Sequence, residues 1–291
     1  MVYSIANEEL SLSVESFGCQ MYSIKSREGL EYLWQGDPSF WADRALTLFP
    51  FCASLYDNKY IIDQTQYQMN AHGLAPYYDF NVVDHQQDSI TFELCYNEDT
   101  LKKYPRKFVF TICYHLDKNR VNIKYEVHNL DEKIMYFGIG GHPGFNVPLN
   151  SQLTFEDYYV NFEEGNKVEL VGFCSPCYRD DTYYNYPLRD HQYLDLEHRL
   201  FDISPLVFRN TAHKVVLKSN KDSHQVTVGY PQMDYVGVWH WPQKDAPYIC
   251  IEPWTSIPAR EGIIEVFEDK QDLLSLEPNK SYINNWYIEI K

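Results

Sequence analysis

Alternation of apolar and polar residues with a period of two limits most strongly what this chain can fold into. Leu10, Leu12 and Val14 alternate with polar residues, as do Ile90, Phe92, Leu94 and Tyr96. The same pattern runs through Phe108, Phe110, Ile112, Tyr114 and Leu116, and then Val121, Ile123, Tyr125 and Val127. Successive side chains of a strand point to opposite faces, so each run describes a half-buried β-strand. Asp117-Lys118-Asn119-Arg120 separates the last two runs at hairpin distance, which predicts antiparallel neighbours rather than strands joined by crossover helices. Further strands are expected at residues 214–217, 225–230, 235–239, 263–267 and 282–290. Helical periodicity is scarce, and residues 38–45 and 194–201 each suffice for only a turn or two. So many strands must stack or close to cover their apolar faces and edges, which predicts an all-β fold, a large antiparallel β-sandwich or distorted barrel. No repeat, low-complexity tract or long linker marks a boundary, so residues 1–291 read as a single domain.

Composition narrows the function. With 44% hydrophobic and 16% aromatic residues, a sizeable core is available and long disorder is excluded. The net charge of −16 repels phosphate backbones and anionic headgroups, so neither nucleic acid nor a membrane surface is an expected partner. The first residues lack a basic start followed by an apolar block, and no later run is long enough to span a bilayer, which predicts a cytoplasmic location. Seven cysteines make an odd count, and Cys95 and Cys113 lie inside strand-like runs, so no disulfide framework is implied. Cys174 and Cys177 form a Cys-x-x-Cys without a second pair at matching spacing, which reads as a loop rather than a zinc or redox site.

Three stretches carry groups suited to chemistry. In Tyr248-Ile-Cys-Ile-Glu-Pro-Trp254, four strand-forming residues run into a carboxylate and then a proline that cannot donate to a ladder, so Glu252 is expected where a strand stops. Partial desolvation there would raise its pKa towards neutrality and suit it to proton transfer; the plainer reading is a strand-end glutamate paired with a surface cation. In Phe137-Gly-Ile-Gly-Gly-His-Pro-Gly144, closely spaced glycines permit close backbone approach and Pro143 fixes the direction of the chain. His142 is therefore expected on a constrained loop or bulge, either as a proton donor or as a structural histidine satisfied by backbone. His72, followed by Gly73, either binds substrate or caps a turn. His85, His115, His191 and His224 have no such context. No metal-ligand spacing such as His-Glu-x-x-His appears, so neither a catalytic metal nor a cofactor is expected. Trp34, Trp41, Trp239, Trp241 and Trp254 lie near proline, glycine or polar residues, where an exposed ring can stack on a sugar; Trp254 is the strongest candidate. A Gly-x-Ser-x-Gly elbow and a phosphate-cradling loop are both absent.

His72-Gly73, Gly141-His-Pro-Gly-Phe-Asn146 and Ile251-Glu-Pro-Trp254, in this order, resemble the aldose 1-epimerase or galactose mutarotase-like family, particularly its lactose-operon branch. Gly29-Leu-Glu-Tyr-Leu-Trp34, Asp37-Pro38, Trp41 and Leu48-Phe49-Pro50 agree, so the resemblance covers nearly the whole chain. It implies a β-supersandwich that interconverts the α and β anomers of a free hexose. It also implies Glu252 as the base at the anomeric hydroxyl, His142 as the acid at the ring oxygen, and His72 as a sugar-binding histidine. The chain departs from the family at three places. Ala53-Ser54-Leu55-Tyr56 and Leu74-Ala75-Pro76 stand where relatives often carry arginines, and Ser204 stands where many carry a sugar-binding aspartate, leaving Asp202 as the nearby candidate. A carbohydrate-binding protein of the same fold is the alternative. Glycoside hydrolysis, which ordinarily needs two carboxylates, has only Glu252 to offer. The expected partner is a small-molecule sugar, and the oligomeric state is left open.

Overall fold

The computed structural model describes residues 1–163 and 167–291. Its frame is two large antiparallel sheets. One holds nine strands in the order Tyr193–Asp195, Tyr158–Asn161, Lys214–Ser219, Gln225–Gly229, Ser281–Ile290, Arg120–Asn129, Phe108–Asp117, Ser89–Cys95 and Asn81–His85. The other holds seven: Arg179–Asn185, Glu169–Phe173, Leu206–Arg209, Tyr235–Trp239, Tyr248–Trp254, Gly140–Asn146 and Ala45–Leu48. Among the described residues three smaller sheets accompany them, including the meander of Val2–Ala6, Leu10–Glu15 and Gln20–Ser26. The all-β reading holds.

The long alternating runs became strands because their apolar side chains share one face. Phe108–Asp117 and Arg120–Asn129 pair from Arg120↔Asp117 to Asn129↔Phe108 across a two-residue turn, as the hairpin spacing required. Their inner residues Phe110, Tyr125 and Val127 belong to one apolar cluster with Trp286 and Ile288 of the same sheet and Val236, Val238, Ile249 and Ile251 of the other. The two sheets therefore pack face to face, and burial of this shared interior is the dominant stabilising term.

The expected helical turns fared unevenly. Residues 38–45 form a turn without a helix, and residues 194–201 finish the strand Tyr193–Asp195 and add a 3₁₀ turn at His198–Phe201. The α-helix among the described residues, Glu98–Lys103, is too short for periodicity to reveal; it forms because Asn97 caps it and exchanges hydrogen bonds with Thr100. The strand expected over 263–267 shrinks to Glu265–Val266, which pairs in parallel with Lys59–Ile62. All seven cysteines are unpaired, and Cys174 and Cys177 are exposed.

Candidate functional site

The seven-stranded sheet is buried on both sides at its centre, and the two faces of one strand divide the work. In Tyr248–Trp254, Ile249 and Ile251 point into the shared core, so Tyr248, Cys250, Glu252 and Trp254 point the other way. Pro253 does not end the strand: it lies opposite Val236 inside the ladder, so Glu252 is an interior residue rather than the strand-end residue expected. His142 is likewise inside a strand, not on a loop. Pairing between these two strands runs from Gly140↔Trp254 and resumes only at Gly144↔Cys250. Pro143 and Pro253 each lack a donor within that gap, which is how a central sheet tolerates both. Counting across the gap sets His142 opposite Glu252, and their Nε2 and Oε2 atoms are 3.0 Å apart.

Both groups are almost covered, at 6% and 2% exposure, yet both line an open cleft of about 320 Å³. That volume suits a small ligand. Burial pushes the Glu252 carboxyl well above the usual carboxylate range. Burial, reinforced by the neighbouring His72, pushes the His142 imidazole well below its ordinary value. Both shifts favour neutral groups, so the pair holds one proton in common, and the dry surroundings place it on the carboxyl. The ring of Trp41 lies 4.9 Å from that of His142, and Trp239 meets it edge-on at 5.8 Å, so the imidazole is held by packing. His142 Nδ1 has no partner among the described residues.

His72 reaches the same place from a loop. Its ring stands perpendicular to His142 at 5.2 Å, and its residue adopts a left-handed φ of 66°. Gly73 follows at φ 84°, where a β-carbon would strike the Phe49 carbonyl, so only glycine fits and the His-Gly pair is fixed by backbone geometry. The Ala53 N–H donates to His72 Nδ1 at 3.2 Å. Nδ1 is therefore the acceptor, and neutral His72 carries its proton on Nε2, free to donate to a ligand. Desolvation lowers its pKa to about 4, so it stays neutral at physiological pH.

Trp254, Trp41, Trp239 and Trp241 complete the aromatic walls. Trp254 is almost covered rather than exposed as expected, and its indole N–H has no partner among the described residues; Trp241 is the exposed ring of the set, at 41%. Asp202 is not part of this site. It lies in a separate surface hollow with Glu156, His198 and Arg199, and accepts a hydrogen bond from the Gln243 N–H at 2.9 Å. The 3₁₀ turn ends at Asp202 and directs it away, whereas Pro205 three residues later does reach the cleft. Asp43, which no motif marked, lines the cleft instead, and burial raises its pKa against an opposing hydrogen bond from Gln20. Ala53 and Ser54 also line it, and no lysine or arginine does among the described residues. A larger hollow of about 590 Å³ is lined by charged residues, several of them paired with one another, including Arg260–Glu265 and Lys270–Asp272.

Comparison with known proteins fits this geometry. The model of the family described as aldose 1-epimerase matches residues 1–286. The chain belongs to the aldose 1-epimerase family. A protein named LacX from Lactococcus lactis subsp. lactis is 30% identical over 295 residues, covering 97% of this chain and 98% of that protein. The solved structure of a galactose mutarotase-like protein from Lactobacillus casei superposes with a TM-score of 0.95 at 27% identity over the whole of both chains. A galactose mutarotase related enzyme from Lactobacillus acidophilus gives 0.93 at 30% identity, covering 100% of this chain and 97% of that one. Membership of the aldose 1-epimerase family supports an epimerase-like function in carbohydrate chemistry, and the sandwich is the galactose mutarotase-like fold. No helix among the described residues is long and apolar enough to cross a membrane.

Proposed function

We infer that this chain interconverts the α and β anomers of a free aldohexose, with Glu252 and His142 as its proton-transfer pair. The observation that carries the reading is the 3.0 Å separation of the two groups at the floor of a cleft. The hydroxyl and ring oxygens of a pyranose are bonded to the same anomeric carbon, so a base and an acid one hydrogen bond apart can address both at once.

One proton on the pair is enough for a full cycle. When it resides on His142, the Glu252 carboxylate takes the proton of the anomeric hydroxyl and His142 protonates the ring oxygen, breaking the C1–O5 bond. The open aldehyde then faces a neutral imidazole and a carboxylic acid, the arrangement that burial favours. After rotation about C1–C2, Glu252 returns a proton to the aldehyde oxygen and His142 takes one from the O5 hydroxyl. The ring closes on the other face with both groups restored. His72 Nε2–H and the Asp43 carboxylate are placed to hold sugar hydroxyls, and the tryptophan rings to pack on its C–H face. A cleft without a cation suits a neutral sugar better than a phosphorylated one.

Polarimetry of freshly dissolved glucose and galactose tests this. Wild type accelerates equilibration, and Glu252→Gln loses on the order of 10²–10⁴-fold of that acceleration. If both relax at the rate of buffer alone while sugar still binds, the chain is a carbohydrate-binding protein and the enzymatic reading is wrong.

A further inference from the structure

Cys250 is a buried thiol that the proton-transfer cycle does not use. It is two residues before Glu252 on the same face of one strand, fully covered among Trp34, Trp41, Ala246 and Tyr248. One ligand atom from each of His142, Cys250 and Glu252 can be chosen so that all three lie within 4.8 Å of one another. A tetrahedral Zn²⁺ with N, O and S ligands at roughly 2.0–2.3 Å separates its ligand atoms by roughly 3.3–3.7 Å. The imidazole and carboxylate, now 3.0 Å apart, need to open by a few tenths of an ångström, and the thiol, within 4.8 Å of both, closes on them by up to about 1 Å. We propose that His142, Cys250 and Glu252 form a site for a thiolate-seeking divalent cation, Zn²⁺ or Cd²⁺, which blocks the cleft by occupying the space between its acid and its base.

Charge balance argues for it. In the free site a neutral imidazole, a carboxylic acid and a thiol carry no net charge. Binding M²⁺ releases two protons, one from the carboxyl and one from the thiol, and leaves M²⁺ with one carboxylate, one thiolate and one neutral imidazole. The occupied site is again neutral, so its burial carries no uncompensated charge. His142 and Glu252 line the cleft, so a fourth position on their side would take water or a sugar hydroxyl. The sequence conceals the site because its ligands are a Cys-x-Glu on one strand and a histidine 108 positions earlier on the neighbouring strand.

Cd²⁺ titration followed by the thiolate-to-metal charge-transfer absorption is the test. Because Cys95, Cys174 and Cys177 are exposed, all three are replaced by serine in the full-length background used. The expected result is one Cd²⁺ per chain, an affinity that rises about 100-fold per pH unit as two protons are released, and loss of the band in Cys250→Ser. Glu252→Gln, which keeps the thiol, is expected to weaken binding by at least ~10-fold. Absence of the band, or binding unchanged in both variants, overturns the site. Zn²⁺ is also expected to inhibit anomer exchange, reversibly with chelator. The metal titration does not depend on turnover, so an inactive chain that binds Cd²⁺ in this way refutes the proposed activity and not the site.

Discussion

Gly141→Ala puts one methyl group between the two sheets, against the Trp286 indole. The new β-carbon would sit 2.6 and 2.7 Å from the Cζ2 and Cη2 atoms of Trp286. Carbon atoms rest at about 3.5–4.0 Å, so the gap must widen by roughly 1 Å. Trp286 is 2% exposed and held against the Tyr125 ring, so the indole has little room to retreat. Relief then comes from an outward shift of the Gly140–Asn146 strand, which carries His142 with it. Overpacking of this kind costs about 1–3 kcal/mol of stability, and a displacement approaching 1 Å at the pair lowers anomer exchange by up to ~100-fold. Urea denaturation measures the first and exchange NMR of a hexose the second. Trp286→Phe removes the two clashing atoms, so in that background Gly141→Ala is expected to cost much less, a coupling that the four-protein cycle reads directly. A Gly141→Ala protein within about 0.5 kcal/mol of wild type and with an unchanged exchange rate would refute the argument.

Three other outcomes are expected. His240 is fully buried and burial lowers its pKa to about 4, while the unfolded chain takes up the proton near the ordinary 6.5. The group thus stabilises the fold above pH 6.5 and loses that contribution as pH falls towards 4, on the order of 3 kcal/mol in all; denaturation across this range should flatten in His240→Asn. Lys270 is buried, donating to the Ile257 carbonyl and to Asp272, whose carboxylate also accepts from the Ile257 N–H. Asp272→Ala strands that ammonium and is expected to cost about 3–5 kcal/mol by thermal or urea unfolding. His72→Ala removes the Nε2–H donor and is expected to raise KM by roughly 2–12-fold, the equivalent of 0.5–1.5 kcal/mol, with a smaller effect on kcat in progress curves.

Much of this fold is legible in the sequence because its long strands advertise themselves locally. The hairpin of Phe108–Asp117 and Arg120–Asn129 needs only alternation and a two-residue turn. Glu252, His142 and His72, which stand out by residue type and by the glycines and prolines beside them, meet in one cleft. What no local pattern holds is the pairing of two strands more than 100 residues apart, and that pairing makes the site. It turns Pro253 from a strand terminator into a ladder residue and draws His142 off its expected loop. The same long-range register brings Cys250 beside the pair. Asp43 stands in an irregular stretch with no period to place it, and Asp202 was misplaced because a one-turn 3₁₀ element does not reveal which of its flanking residues faces the cleft.

The most direct test of a shared-proton pair is a double-mutant cycle on the rate of anomer exchange, measured by NMR for wild type, Glu252→Gln, His142→Asn and the double variant. Groups that act as one unit give losses that do not multiply. Each single variant should lose on the order of 10²–10⁴-fold, and the double variant no more than about tenfold further. Losses that multiply in the double variant, or a single variant that exchanges anomers as fast as wild type, would contradict the central claim.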